Sequence, residues 1–279
     1  MTAQAEAAAP PVTDPFPARW RSVAPHTQLV ILTSRAVRAQ LANPRALVLN
    51  LLQPVFMLLL LSQVFGVIVD RSHLPGDLPY IDFLLPALLV TTGIGPAVAS
   101  GIGLVRDMQN GVVDRLRTLP VNVATLLFAR SFSDLLRTAL QLVVLVLCAV
   151  LFFGADPGGG FPGTLAALLL SCFVIWALTW IFLALAAWLR NAEALQSAGF
   201  LVTFPLMFAS SAFVPTERLP GWLQALATVN PLTYAMDAAR SLALDLPVGN
   251  RIWLALGMSL VVAVAGATVA VRGFRRPLI

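Results

Sequence analysis

The residues that could do chemistry are concentrated in one polar stretch, Arg106 to Val121, between two long apolar runs. It reads RDMQNGVVDRLRTLPV. At 100° per residue, its apolar side chains would share one face of a helix, namely Met108, Val112, Leu116 and Leu119. The acids Asp107 and Asp114 precede the bases Arg115 and Arg117, which suits a helix dipole, and Pro120 would end the helix. The stretch predicts a short amphipathic helix that caps two transmembrane helices, and the alternative is a solvated loop whose charges only fix topology.

Other chemistries lack the residues that they need. All eighteen basic residues are Arg, and a P-loop needs a Lys to reach the nucleotide phosphates. The only two histidines, His26 and His73, fall in predicted extramembrane segments, which disfavours a proton relay and a Ser/His nucleophile pair. No metal constellation is present in the sequence either. We therefore predict no catalytic residue, cofactor or metal in this chain, and expect a partner to supply any energy for transport.

The composition indicates the elements that must position the polar stretch. Hydrophobic residues make up 58% of the chain, charged residues 11%, and the mean hydropathy is +0.85, which is typical of a protein in a bilayer. We predict an all-α, polytopic integral membrane protein with six transmembrane helices. The predicted spans are residues 47–69, 80–105, 135–153, 164–189, 195–213 and 253–271. The second span is expected to be kinked at Pro86 and at the GIGP turn, Gly93 to Pro96.

The arginines predict the orientation of these spans, because short loops rich in Arg stay in the cytoplasm. With the N-terminus inside, thirteen Arg fall in inner segments and four in outer segments, and Arg137 lies within the third span. The net charge of +5 is thus a topology signal, and no nucleic-acid partner is predicted. We expect a multi-pass protein of the plasma membrane with both termini in the cytoplasm.

The chain is expected to form a disordered cytoplasmic N-terminus, residues 1–21, followed by a single transmembrane domain, residues 22–279. Ser22 to Ala42 has the pattern of an amphipathic helix, which could lie at the membrane surface or pack on the protein itself. Small residues in the second span predict close helix packing rather than a ligand site: Gly93, Gly95, Ala97, Gly101 and Gly103.

The external segment 214–250 is too long for a simple turn. Its apolar stripe and its prolines predict two short helices that dip back into the outer leaflet as a re-entrant hairpin. The residues that define it are Pro215, Leu219, Pro220, Trp222, Asn230 and Pro231. Two roles remain open for this hairpin, capping the helices from outside or gating the exit of a substrate.

Four stretches resemble one family of transporters. They are DMQNGVVDRLRTLP from Asp107 to Pro120, NLLQPVF with VFG in the first span, Arg130 with Asp134, and the run from Phe204 to Thr233. From about Arg35 to the C-terminus, the chain is similar to type-2 ATP-binding-cassette exporter permeases, particularly the daunorubicin-resistance-type subgroup.

This resemblance implies a permease subunit that exports an amphiphilic compound, such as an antibiotic or a lipid-linked molecule. It also implies a separate ATPase subunit that binds ATP and Mg, and a second copy of the chain or a similar permease. The residues that would couple to the ATPase are Asp107, Gly111, Asp114, Arg115, Leu116, Arg117 and Pro120. The alternatives are a membrane scaffold that anchors a cytoplasmic complex without transport, and a membrane-embedded enzyme, which the missing catalytic residues disfavour.

The predicted topology can be tested with reporters. A reporter fused after Ile279 should be cytoplasmic, because six predicted spans separate it from a cytoplasmic N-terminus. A reporter inserted near Gly159 should be external, because three predicted spans precede that residue. Alkaline phosphatase and fluorescent-protein fusions report the two sides. The same activity at both positions would contradict the six-span topology.

Overall fold

The regular secondary structure of the described residues is entirely α-helical. The computed structural model describes residues 25–42, 44–68, 79–111, 123–211, 220–247 and 249–274, so the predicted disordered residues 1–21 lie outside the described part. Within the described ranges it has ten α-helices and no β-strand. In chain order they are α1 Pro25–Leu41, α2 Pro44–Ile68, α3 Tyr80–Thr91, α4 Ile94–Gln109, α5 Val123–Phe153, α6 Gly160–Leu189, α7 Ala192–Phe208, α8 Gly221–Val229, α9 Pro231–Ala243 and α10 Arg251–Phe274.

Five segments of the described chain are long and apolar enough to cross a bilayer. They are Leu47–Val64, Tyr80–Gln109, Ala124–Phe153, Gly160–Leu189 and Arg251–Phe274. The predicted all-α, polytopic membrane class is therefore confirmed. Helix α7 covers the predicted fifth span with 17 residues, or about 26 Å, so a sixth crossing stays a prediction.

The second crossing is broken at one of the two predicted places. Helix α3 ends at Thr91 and α4 begins at Ile94, so the interruption falls at the predicted GIGP turn. Pro96 lies in the first turn of α4, where a missing N–H costs no hydrogen bond. Pro86 lies inside α3, which continues past it, so the kink expected at Pro86 does not divide the helix.

The third crossing is longer than predicted. Helix α5 begins at Val123 rather than near Leu135, and its 31 residues span about 46 Å, more than a hydrocarbon core requires. The added turns carry Arg130 and Asp134. Their charges lower the local hydropathy, so the sequence pattern predicts a start of this helix that is too late. Because those side chains have partners on α4, the charged turns stay helical.

Helix α6 is the centre of the bundle. It is apolar on every side, which is typical of a helix that other helices surround, and it packs against α3, α4, α5, α7, α9 and α10. Trp180 is fully buried at its middle, where the Phe128 ring of α5 lies 4.7 Å away between centroids. Gly266 of α10 completes this packing, because a Cβ there would lie 2.9 Å from the Trp180 backbone.

Helix α1 packs on the protein itself. Its Thr33 is buried against α5 and donates a hydrogen bond of 3.5 Å to the Ala129 carbonyl. Its opposite side exposes Val30 and Ile31. The packed alternative for this amphipathic helix is thus observed, and its position relative to the membrane surface stays a prediction.

The predicted close packing of small residues holds at three of the four glycines. Gly93 lies against Ile175, Gly101 against the Phe182 backbone, and Gly103 against Arg130, whereas a Cβ on Gly95 would meet nothing within 4 Å. Ala97 is buried as well. Most of the small residues of the second crossing therefore lie where a neighbouring helix packs closely against it.

We expect Gly101→Ala to lower the stability of the permease by about 1 to 3 kcal/mol. The new Cβ would lie 2.7 Å from the Phe182 carbonyl oxygen, which belongs to a helix backbone and cannot rotate away. Gly257→Ala in α10 is the matched control, because nothing lies within 4 Å of the place that its Cβ would take. This change should be neutral or should stabilise the permease by up to about 1 kcal/mol. Thermal unfolding in detergent measures both, and equal melting temperatures would show that α4 and α6 do not pack this closely.

Candidate functional site

Two polar contacts join α4 to α5 at and just before the start of the predicted coupling segment. Asp107 forms an ion pair with Arg130, and the Ser100 hydroxyl donates a hydrogen bond to the Asp134 carboxylate. Ser100 and Asp134 are both buried. The pairing runs 100 to 134 and 107 to 130, so the two helices are antiparallel and meet along one face of each. We call these four residues the α4–α5 clamp.

Gly103 makes room for the clamp. It lies between Ser100 and Asp107 on the same face of α4, and a Cβ at this position would collide with the Arg130 guanidinium. Any larger residue would push this side chain away from Asp107. The sequence pattern pointed to Gly103 as a packing residue and to Arg130 and Asp134 as a motif, but it did not bring them together.

The end of α4 is set by a glycine. Gly111 follows the C-cap Asn110 and has φ +68°, the left-handed conformation that commonly ends helices. The helical arc predicted through Met108 and Val112 is therefore interrupted at Gly111. Met108 instead completes the last turn of α4, where it is buried.

The other predicted coupling residues fall beyond this point. Asp107 and Gly111 are placed at the end of α4. The remaining members of the set lie outside the described residues: Asp114, Arg115, Leu116, Arg117 and Pro120. Their amphipathic helix stays a prediction.

The ends of α6 and α10 lie beside the end of α4. The Gln109 side chain donates to the Arg190 carbonyl at 3.4 Å, and the Arg190 guanidinium donates to the Gly273 carbonyl at 3.4 Å. Arg190 ends α6 in a left-handed conformation, with φ 50°. The next residue, Asn191, caps α7 by accepting from two backbone N–H groups. This end of the bundle is thus tied together by polar groups from three helix termini.

The opposite end of the bundle carries the predicted hairpin as two short helices, α8 and α9. Pro220 is the N-cap of α8, Trp222 is exposed on its first turn, and Pro231 opens α9. Pro215 and Leu219 lie outside the described residues. The two predicted helices are observed, and their depth in the membrane stays a prediction.

Asn230 fastens this hairpin to α7. Its Nδ2 donates to the carbonyls of Leu206 and Ala209, each at 2.7 Å, and its Oδ1 accepts from the Leu232 N–H at 3.0 Å. One buried side chain therefore satisfies the free carbonyls at the end of α7 and caps the start of α9. The sequence identified Asn230 only as a helix breaker.

A cluster around Asp237 holds α9 to its neighbours. Its carboxylate accepts from the Ser211 hydroxyl at 2.6 Å and pairs with Arg240 at 3.3 Å and with Arg251 at 3.5 Å. Buried Arg240 also donates to the Ser211 carbonyl and lies over the Phe83 ring of α3, 3.8 Å from its centroid. Sequence reasoning used both arginines for topology and missed this cluster, although the Asp-x-x-Arg spacing places two of its members on one helix face.

The fold and the two polar ends define a polytopic, all-α membrane protein. The family model described as ABC-2 type transporter matches residues 27–244, and the chain belongs to this family. It is therefore a transmembrane permease subunit of an ABC transporter, and the family works with an ATP-binding subunit.

Similar curated proteins carry consistent names. The chain is 33% identical over 210 residues to the daunorubicin resistance ABC transporter permease protein DrrB1 of Streptomyces coeruleorubidus, covering 75% of this chain and 72% of that protein. It is 27% identical over 251 residues to the probable doxorubicin resistance ABC transporter permease protein DrrC of Mycobacterium tuberculosis, covering 88% and 86%. It is 29% identical over 221 residues to the putative transport permease ycf38 of Cyanophora paradoxa, covering 77% and 73%.

We expect Asn230→Asp to destabilise the permease by about 3 kcal/mol or more. The substitution keeps the shape but replaces two donated hydrogen bonds with a buried carboxylate oxygen facing two carbonyls. Asn191→Asp is the matched control, because this exposed cap only accepts hydrogen bonds, and the change should stay within about 0.5 kcal/mol. Unfolding in detergent measures both, and an equal response at the two positions would show that Asn230 does not fasten the hairpin to α7.

Proposed function

We propose that this permease exports an amphiphilic, drug-like compound from the cell, driven by ATP hydrolysis in a separate subunit that binds ATP and Mg. The observation that carries the coupling part of the proposal is the α4–α5 clamp. It joins the two helices that lead into and out of the predicted coupling segment, residues 106–121. A push on that segment would therefore move α4 and α5 together.

The clamp is suited to transmission more than to stability. The Asp107 side chain is 44% exposed and the Arg130 side chain 24% exposed, so their ion pair contributes only about 0 to 1 kcal/mol. Ser100 and Asp134 are buried, and their contact fixes the same two helices one to two turns further into the bundle. Two anchors at different depths prevent the helices from rotating about a single contact.

The clamp also supports the proposed orientation. It lies at the end of the bundle where α4, α6 and α10 terminate, which is the end that the Arg distribution assigns to the cytoplasm. The hairpin of α8 and α9 would then face outward.

Because one subunit supplies half of the helices expected around a pathway, we propose that two permeases pair, and the mass of the purified complex with its ATPase tests this.

The substrate class rests on the relatives. Two of them are named for daunorubicin or doxorubicin resistance. Large apolar side chains line the outside of several helices, including Leu201 of α7 and Phe56 of α2, and such a surface suits an amphiphile that enters from the lipid. Doxorubicin is the first probe to use.

The coupling proposal predicts that Asp107→Arg and Arg130→Asp each reduce export strongly, while the double exchange restores a large part of it. The single changes place like charges together, whereas the exchange re-forms the pair in reverse. We would measure permease abundance, capture of the ATP-binding subunit and ATP-dependent doxorubicin uptake into inverted vesicles. Abundance should change little, because both side chains reach solvent.

Arg106→Gln is the matched control, because Arg106 is exposed beside Asp107 and makes no ion pair within the described residues. Normal uptake in both single variants would exclude the clamp as the transmission element. Capture of the ATPase without ATP-dependent uptake of doxorubicin or of other amphiphilic dyes, even by the unaltered permease, would instead favour the scaffold alternative.

A further inference from the structure

A polar pocket of about 290 Å³ lies between the hairpin and α10. Its walls come from α8, α9 and the first residue of α10, and they include Thr228, Thr233, Tyr234, Asp237 and Arg251. The Tyr234 hydroxyl is engaged, because it donates to the Thr228 carbonyl at 2.7 Å. The pocket is on the opposite side of the bundle from the α4–α5 clamp, so the coupling proposal does not account for it.

Thr233 lines this pocket and carries a hydroxyl group that the protein's described residues leave unused. The residue is only 6% exposed, and its Oγ1 is buried without a hydrogen-bond partner in the part of the chain that the structure describes. A buried hydroxyl without a partner costs free energy, so such groups commonly bind a molecule that is absent from the protein alone. Because it is a donor as well as an acceptor, this hydroxyl can bind a phosphate oxygen.

The charges at the pocket favour an anion. One carboxylate, Asp237, is shared by the guanidiniums of Arg240 and Arg251, and it also accepts from the Ser211 hydroxyl. These three charged side chains of the described residues sum to one positive charge. Arg240 is buried and fully engaged, whereas the Arg251 side chain is 56% exposed and free to turn toward a ligand. The Asp237 carboxylate would repel an anion only weakly, because its charge is already neutralised.

Two tryptophans place the pocket at the level of lipid headgroups. Trp222 is 68% exposed and two residues before Gln224 of the pocket wall, and Trp253 is 72% exposed and two residues after Arg251. Exposed Trp is enriched where the bilayer meets water. The molecules that occupy this level in a membrane are phospholipid headgroups.

We propose that the pocket binds the phosphodiester headgroup of an anionic phospholipid. Arg251 pairs with the phosphate, and the Thr233 hydroxyl donates a hydrogen bond to one of its oxygens. The bound lipid then holds α8 and α9 against the start of α10. The proposal rests on the proposed function only in assigning the pocket to the outer leaflet, and the binding itself requires neither ATP nor a substrate.

The test uses the full-length permease in micelles that contain brominated phosphatidylglycerol or brominated phosphatidylcholine, with quenching of tryptophan fluorescence as the readout. Subtracting the signal of a Trp222→Phe/Trp253→Phe variant isolates the quenching at the pocket. We expect the unaltered protein to prefer phosphatidylglycerol on the order of fivefold. Arg251→Gln should bring the preference close to one.

Thr233→Val provides an independent variant, because it keeps the shape of the side chain and loses no observed hydrogen bond. It should weaken phosphatidylglycerol binding at least about twofold without lowering the unfolding temperature. Arg272→Gln is the matched control, because Arg272 is exposed near the other end of the same helix and should leave the preference unchanged.

Three outcomes would overturn the proposal. Equal quenching by the two lipids in the unaltered protein would show that the pocket does not select an anion. An equal loss of preference in Arg251→Gln and Arg272→Gln would show general charge attraction. Relief of quenching by excess inorganic phosphate would identify a site for free phosphate rather than a lipid. None of these measurements involves efflux, so a failure of the export proposal is distinguished from a failure of this one.

Discussion

The structure depends on one constraint, which is that a charge buried inside an apolar bundle is costly without a partner. Asp134 and Arg130 would be costly on a membrane helix by themselves. Ser100 and Asp107 of α4 supply partners for them, and in doing so they fix the direction and register of two helices. The same rule operates at the other end, where Asp237 satisfies Arg240 and Arg251 and thereby positions α9. Apolar contacts fill the space between these polar ends, but they specify the register of neighbouring helices less strictly than the polar contacts do.

The central helix α6 contributes to an apolar cluster at each end of the bundle. Trp180 and its neighbours form an apolar core around α6 near the clamp, and a second cluster that includes Phe83, Ile175 and Met236 lies toward the hairpin. Both clusters share α6, which therefore connects the two ends of the bundle. This arrangement suits the proposed export, in which the ATP-binding subunit and the exit of the substrate would be on opposite sides of the membrane.

The sequence predicted the class, the order and most bounds of the helices, because a bilayer requires long apolar segments and Gly and Pro mark where they stop. It placed the start of α5 twelve residues too late, because hydropathy scores Arg130 and Asp134 as breaks and carries no information about their partners on α4. Asn230 and the Asp237 cluster were missed for a related reason. The hydrogen bonds that tie them to the end of α7 and to Ser211 join residues 21 to 29 positions apart, and only the folded chain brings those atoms together.

The central position of α6 also bears on biosynthesis. A ribosome delivers α1 to α5 to the membrane before α6 is complete, so the helix that most of the bundle packs around arrives late. During that interval α4 and α5 can already form their polar contacts with each other, because both members of each pair precede residue 160. The nascent chain can therefore hold α4 and α5 together before α6 is complete. The tryptophan core closes around this pair only after the second half of the protein has been inserted.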